Sequence, residues 1–361
     1  MIKAEKGGGS MQGKNPFCIS FGKQPPNYIG RNVEKQRVLD TFREEPVTDQ
    51  LFLITGVRGC GKTVFMNGVA AELEKNTDWI VLRESATADI SRAVLADLAE
   101  KLKLKRHRPI KQAAVTIAGS GVNLEFEADT TPENVISRVD EALRQAADKG
   151  KKVLVVVDEV SNTPQMKDFS HLFQIEISQG RPLYFLGTGL YENVQELSDE
   201  KDLTFLHRAP RIELSPLNSG AIVESYRRIF SLSETKAQQM AKLTLGYSYA
   251  FQVLGYLYWE AGAPQDVAVV LPDYDAMLAD ASYRKIWMEC SETDQRILNA
   301  MARIDSDRVA EIRKACGEMP PNYFSNYRQR LMKRGILTSS SHGTLQFALP
   351  RFREFVLNQL W

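Results

Sequence analysis

Residues 51–63 read Leu-Phe-Leu-Ile-Thr-Gly-Val-Arg-Gly-Cys-Gly-Lys-Thr. The opening run is apolar and rich in branched side chains, which predicts a buried parallel strand. It ends directly in G-x-x-x-x-G-K-T, a loop whose glycines let successive backbone N–H groups converge on phosphate oxygens. Gly56, Gly59 and Gly61 supply that freedom, and Arg58, Cys60 and Val64 lie along the same path. Lys62 brings a flexible positive charge to the β- and γ-phosphates, and the Thr63 hydroxyl suits a magnesium ion. Residues 63–74 then read as a helix whose positive N-terminal end adds to the anion site. Cys60 is a small filler in this reading, not a nucleophile.

Downstream, Val153-Leu154-Val155-Val156-Val157 runs straight into Asp158-Glu159. A carboxylate at the tip of a parallel strand is placed to hold magnesium beside a phosphate loop, and Asp158 takes that role. Glu159 can orient and polarise an attacking water; its plainer alternative is a carboxylate favouring a helix N-terminus. Further strands at 79–82, 182–186 and 212–214 alternate with helices at 33–44, 88–104, 132–148 and 169–178, with Asn32 as the first cap. That alternation predicts an α/β P-loop fold with a parallel sheet. The fourth strand runs into Gly187-Thr188-Gly189, where Thr188 could sense the γ-phosphate or simply belong to a turn. Arg208 and Arg211 precede or begin the fifth strand. Arg208 could reach a neighbouring subunit's γ-phosphate, or could pair with a surface carboxylate.

The 361 residues are too many for one ordinary core and predict two or three domains. A hydrophobic fraction of 43%, a charged fraction of 25% and a net charge of +1 fit a folded soluble protein, so any polyanionic partner must be met by a local patch. The four cysteines lie far apart with no C-x-x-C pair, which suits a reducing, cytoplasmic setting without structural zinc. No apolar run approaches membrane-spanning length. Residues 1–14 read as a Gly-Gly-Gly-Ser linker and start. Residues 15–215 form the nucleotide unit, opening with a loop rich in proline, with a β-hairpin insertion near 114–127 around Gly119-Ser120-Gly121. Residues 216–280 form a helical lid, with helices at 219–229, 234–245 and 249–260, and 263–272 is its loosest segment. The aromatic run Phe251, Tyr256, Tyr258 and Trp259 reads as lid core.

Residues 281–361 carry helices near 293–303, 307–315 and 322–333, then strands at 336–337 and 345–349, the order of a winged helix. From 290 to 361 there are eleven Lys or Arg against seven Asp or Glu. Arg328, Arg330, Lys333 and Arg334 cluster on the would-be recognition helix and predict contact with double-stranded DNA. Docking on protein is the alternative. A second basic run, Lys101, Lys103, Lys105, Arg106 and Arg108, reads either as a nucleic-acid contact or as a solvated helix end.

Together, residues 56–63, Asp158-Glu159, Thr188, the helical lid and the terminal winged helix resemble an AAA+ ATPase of the origin-recognition-like group. Asn15-Pro16-Phe17, Phe21-Gly22, Pro25-Pro26 and Gly30-Arg31 resemble the opening of a family of bacterial and phage-type ATP-binding proteins. The resemblance implies ATP or ADP with Mg2+ as ligands, and adenine between Tyr28, Ile29, Gly30 and the lid. It makes Asp158 the magnesium partner, Glu159 catalytic and Thr188 the first sensor. Two departures stand out. Gly246-Tyr247-Ser248 replaces the usual Gly-x-Pro, and no arginine opens the third lid helix. The expected protein is therefore a slow ATP-hydrolysing switch that couples nucleotide state to DNA through its winged helix. A nucleotide-regulated protein scaffold in signalling or defence, and a loader acting with a partner, are the alternatives. Self-association stays open.

Overall fold

Branched and aromatic side chains occupy both faces of every long strand in the first unit. β1 (Leu51–Thr55), β2 (Trp79–Ser85), β3 (Lys152–Asp158), β4 (Leu183–Gly189) and β5 (Arg211–Glu213) pair in parallel in the order β2-β3-β4-β1-β5. The computed structural model describes residues 13–20, 22, 24–104 and 132–359. The hairpin expected near 114–127, most of the 1–14 segment, and Phe21, Lys105, Arg106 and Arg108 lie outside the described residues.

Successive residues of each strand point to opposite faces, so each face has its own core. Leu53, Val153, Val155 and Phe185 pack with α3 (Ile90–Lys101), α4 (Pro132–Asp148) and α5 (Pro164–Ser178). Phe52, Ile54, Leu154 and Val156 pack with α1 (Asn32–Arg43) and α2 (Lys62–Glu74). Two helix starts differ from expectation. Asn32 is the first residue of α1, and Arg31 holds the cap position without a side-chain cap. The α5 helix begins earlier because Thr163 Oγ1 accepts from the Met166 N–H at 3.3 Å and Pro164 fits the first turn. α6 (Tyr191–Ser198), which the sequence reading missed, follows β4.

The lid comprises α7 (Ser219–Phe230), α8 (Glu234–Lys242) and α9 (Ser248–Glu260). The proline-rich opening segment is ordered because it completes the lid's core. Phe17 is buried, stacks on Phe230 at 5.6 Å between ring centroids, and meets Phe251 edge-on. That approach needs Gly255, where a Cβ would stand 2.3 Å from the Phe17 ring. Phe251 and Tyr258 are buried lid core.

Residues 263–272 are tighter than expected. A 3-10 turn, Val267–Val270, leads directly into α10 (Leu271–Leu278), with Val270 buried and Pro272 in the first helical turn, where its missing N–H is not needed. A π-helical segment, Ala279–Tyr283, and α11 (Arg284–Met288) continue the same run.

The third unit follows as α12 (Glu292–Arg303), α13 (Val309–Ala315) and α14 (Pro321–Lys333). Antiparallel β6 (Leu337–Thr338) and β7 (Gln346–Phe347) form the wing, and α15 (Phe352–Asn358), unread in the sequence, closes it with Phe352 and Val356 buried. One apolar cluster runs from Phe17 through Tyr226, Leu278 and Tyr283 to Leu331 and Phe352. Lid and winged helix therefore share a core.

Candidate nucleotide site

Parallel sheets place ligands at the carboxyl ends of their strands, and here β1, β3 and β4 end together. Between β1 and α2 the loop turns through Gly59 at φ +80° and Gly61 at φ +96°. A Cβ on Gly59 would lie 2.1 Å from the Tyr247 hydroxyl, so only glycine permits the lid's approach. Lys62 Nζ donates to the Gly56 carbonyl at 2.8 Å and the Val57 carbonyl at 3.1 Å, which holds the ammonium over the loop. Cys60 is buried behind it, and a Cβ on Gly56 would meet its sulfur at 2.6 Å.

Asp158, the last residue of β3, gathers the neighbouring groups. Thr63 Oγ1 donates to its Oδ2 at 2.6 Å, while Thr188 Oγ1 and, at 3.0 Å, the Glu159 N–H donate to its Oδ1. β4 lies between β3 and β1, and this is what brings Thr188 there. Thr188 is fully buried and supports Asp158 from behind without lining the cavity. Glu159 adopts the left-handed region at φ +58°, which is uncommon for a residue with a Cβ. Its side chain is 81% exposed and stands 4.0 Å from Arg58. The Thr63 hydroxyl and the Asp158 carboxylate are hard oxygen donors that fit magnesium. Among the described residues no cluster of three His, Cys, Asp or Glu suits a metal.

A cavity of about 520 Å³ opens beside these groups. Tyr28 and Ile29 form one wall with Pro25, Tyr249 and Gln252 face them from α9, and Lys62, Thr63, Val64, Asp158 and Glu159 lie at its floor. Gly30 does not reach the cavity; Arg31 does. Arg31 is a joint of the site that the sequence reading missed. Its Nη2 donates to the Cys60 carbonyl at 3.1 Å, the Ser215 carbonyl at 2.8 Å and Ser248 Oγ at 3.4 Å. One buried guanidinium thus ties the loop to the chain after β5 and to the lid. Gly246-Tyr247-Ser248 is the seat of the lid on the loop. Tyr247 donates to the Arg58 carbonyl at 2.6 Å, Ser248 to the Cys60 carbonyl at 2.8 Å, and the Tyr249 N–H to the Gly59 carbonyl at 3.2 Å. Burial raises the Tyr247 phenol pKa, which keeps its proton available for donation.

The third unit also touches the loop. Arg58 Nη2 lies 3.3 Å from Glu289, and a Cβ on Gly335 would meet Val57 Cβ at 3.2 Å. Arg334 Nε pairs with Glu192 of α6 at 3.1 Å, and burial pushes the Glu192 carboxyl up while Arg334 opposes that shift.

These contacts divide the basic cluster expected to face DNA. Arg334 is only 8% exposed. Arg330 pairs with the fully buried Asp294 and donates to Ser291 Oγ at 2.9 Å. Lys333 Nζ sits 5.3 Å from the Tyr191 ring centroid. The physical reason is that a buried carboxylate such as Asp294 requires cationic partners, and α14 supplies them from the face that packs inward. Arg328 instead lines a groove on the other side with Arg308, Arg313 and His342. Arg208 is exposed at the end of a 3-10 turn, Thr204–His207, and away from the cavity, while Arg211 is held by Gln195 and Ser198.

A glycine loop with Lys62 and Thr63, an acidic strand tip, and a parallel sheet in this order define an AAA+-type P-loop fold. Residues 28–175 match the family described as an ATPase domain predominantly from Archaea, and residues 280–356 match a domain of unknown function (DUF8462). The matched ATPase domain covers residues 28–175, and the fold of the chain is of the AAA+ type. Among solved structures, a Walker-type ATPase of Pyrococcus abyssi is similar over 91% of this chain and 96% of its own, at 15% identity and a TM-score of 0.63. The ORC2 protein of Aeropyrum pernix, solved as ADPNP–ADP complexes, is similar over 94% of this chain and 96% of its own, at 13% identity and a TM-score of 0.61. Among curated protein sequences none matches.

Proposed function

We propose that the chain is a Mg2+-dependent ATP switch whose nucleotide state governs presentation of the winged helix to double-stranded DNA. The observation that carries this reading is the docking of the third unit on the phosphate loop itself, through Glu289 on Arg58 and Gly335 against Val57. Anything that moves the loop moves the winged helix. Lys62 and the loop amides bind the phosphates, Tyr28 and Ile29 face the base, and Thr63 with Asp158 holds the metal. A bound magnesium ion offsets phosphate charge. Thr188 fixes the Asp158 carboxylate, and Glu159 orients the attacking water. Arg208, exposed on the surface, is available to a neighbouring subunit. The outward basic groove of Arg308, Arg313, Arg328 and His342 takes the place of the expected α14 cluster as the surface for the DNA backbone.

The test is duplex binding across a salt titration, with and without ATP, for the wild type and Lys62→Ala. The expected result is ATP-dependent binding that weakens steeply with salt, and loss of the ATP effect in the variant. A protein-docking scaffold is the second reading, favoured by the inward Arg330 and Arg334. Absence of duplex binding at low salt with ATP present would select it.

A further inference from the structure

The cations around the cavity are not equivalent. Arg31 is anchored through Nη2 on three oxygens, Lys62 Nζ rests on two loop carbonyls, and Arg58 is held by Glu289. Lys285 lines the same cavity, is exposed, and among the described residues its ammonium has no hydrogen bond or ion pair. It belongs to α11, outside the three lid helices. At the start of α9, Ser248 gives its hydroxyl to the Cys60 carbonyl and supplies no charge.

Two contacts fix the helix that bears Lys285. Ser282, inside the π segment, stands 2.9 Å from the Tyr247 hydroxyl and 3.5 Å from the Arg58 carbonyl. Glu289, one turn beyond Lys285 and on the same face, holds the Arg58 guanidinium at 3.3 Å. Lys285 is bracketed by these anchors. The π segment directly before it contributes to this placement: one extra residue in a turn rotates the succeeding side chains by roughly 100° around the helix axis. Its neighbour Arg284 is on the outside, paired with Asp280 at 3.0 Å.

We infer that Lys285 reads the γ-phosphate, so that the helix leading into the winged helix, and not the lid, distinguishes ATP from ADP. This rests on the nucleotide reading above. The two ligands differ by one charged phosphoryl group, and an uncommitted ammonium is suited to that difference. Arg31 Nη2 is fixed on protein oxygens, whereas the Lys285 ammonium is held by none among the described residues. With ATP bound, Lys285 on the nucleotide and Glu289 on Arg58 would hold the third unit to the loop by two charge contacts in place of one.

The experiment is calorimetric titration of the full chain with ADP and with a non-hydrolysable ATP analogue, both with magnesium. Wild type, Lys285→Met and Lys285→Arg are compared, since methionine keeps the apolar stem and removes the charge. Removal of one charge-assisted hydrogen bond predicts an affinity for the analogue about tenfold or more lower in Lys285→Met, with ADP affinity changed less than about twofold. Lys285→Arg should recover most of the deficit. Equal reductions for both nucleotides, or none for either, overturn the assignment. If the wild type binds neither nucleotide, the nucleotide reading itself fails. If it binds both and the Lys285 variants are indistinguishable from it, only the present inference fails.

Discussion

Glu159 has the left-handed φ of +58° and an exposed carboxylate beside Arg58, in contrast to its neighbour Asp158, whose two oxygens are both engaged. Adjacent carboxylates therefore have separable tasks. Asp158 is held by Thr63 and Thr188, whereas Glu159 is exposed 4.0 Å from Arg58 and in the proposed mechanism turns toward a water. Glu159→Gln keeps the size and removes the basicity, so nucleotide affinity should stay near wild type. The hydrolytic step should slow by roughly 10²- to 10⁴-fold, the usual contribution of a positioned base. Single-turnover hydrolysis reads this directly, and a wild-type rate would remove Glu159 from the mechanism.

At the scale of elements, the opening segment and the lid are joined by hydrogen bonds from Asn15, Asn27 and Gln252 and by one ring packed at one glycine. Gly255→Ala offers a test because two effects oppose each other. Alanine in a helix interior gains about 1 kcal/mol over glycine. Here the added methyl meets the Phe17 ring, which Phe230, Tyr226 and Phe251 surround, and overpacking of that kind costs about 1–3 kcal/mol. The clash should win. Lower thermal stability and weaker nucleotide binding are expected, because Pro25, Tyr28 and Ile29 reach the cavity from the displaced segment. A variant more stable than wild type would show that the segment yields at no cost.

The sheet was largely legible because its signals are local. Valine runs specify buried strands, and the glycine loop with its lysine specifies its own geometry. Thr188, Asp158 and Thr63 come together through strand order, which no single stretch encodes. Arg31 stood in the opening motif, but its three acceptors come from residues 60, 215 and 248, brought together only by folding. Lys285 left no signal beyond being a lysine. The basic cluster on α14 misled for a related reason: helical spacing counts charges on a surface, but only packing tells which ones Asp294 and Glu192 have claimed. The α10–α11 run was hidden by Gly262, Pro264 and Pro272, residues that usually mark loops.

For the whole molecule, the groove proposed for DNA and the face of α14 that meets the nucleotide unit through Arg334 are on opposite sides of that helix, so they can be altered separately. Replacing Arg308 and Arg328 by alanine should weaken duplex binding and flatten its logarithmic salt dependence by about 2, near one unit for each phosphate no longer neutralised. Nucleotide affinity should not change, since neither residue reaches the cavity. An unchanged salt slope would show that the groove does not touch the DNA backbone.

The apolar cluster running unbroken from Phe17 to Phe352 has one more consequence. Lid and winged helix cannot slide past each other without opening that core, so in the proposed switch they would move as one body. Thermodynamic reciprocity then applies in both directions: a partner gripping the outer end of that body, far from any phosphate, must alter how tightly nucleotide is held at the inner end by the same factor that nucleotide alters the partner's grip.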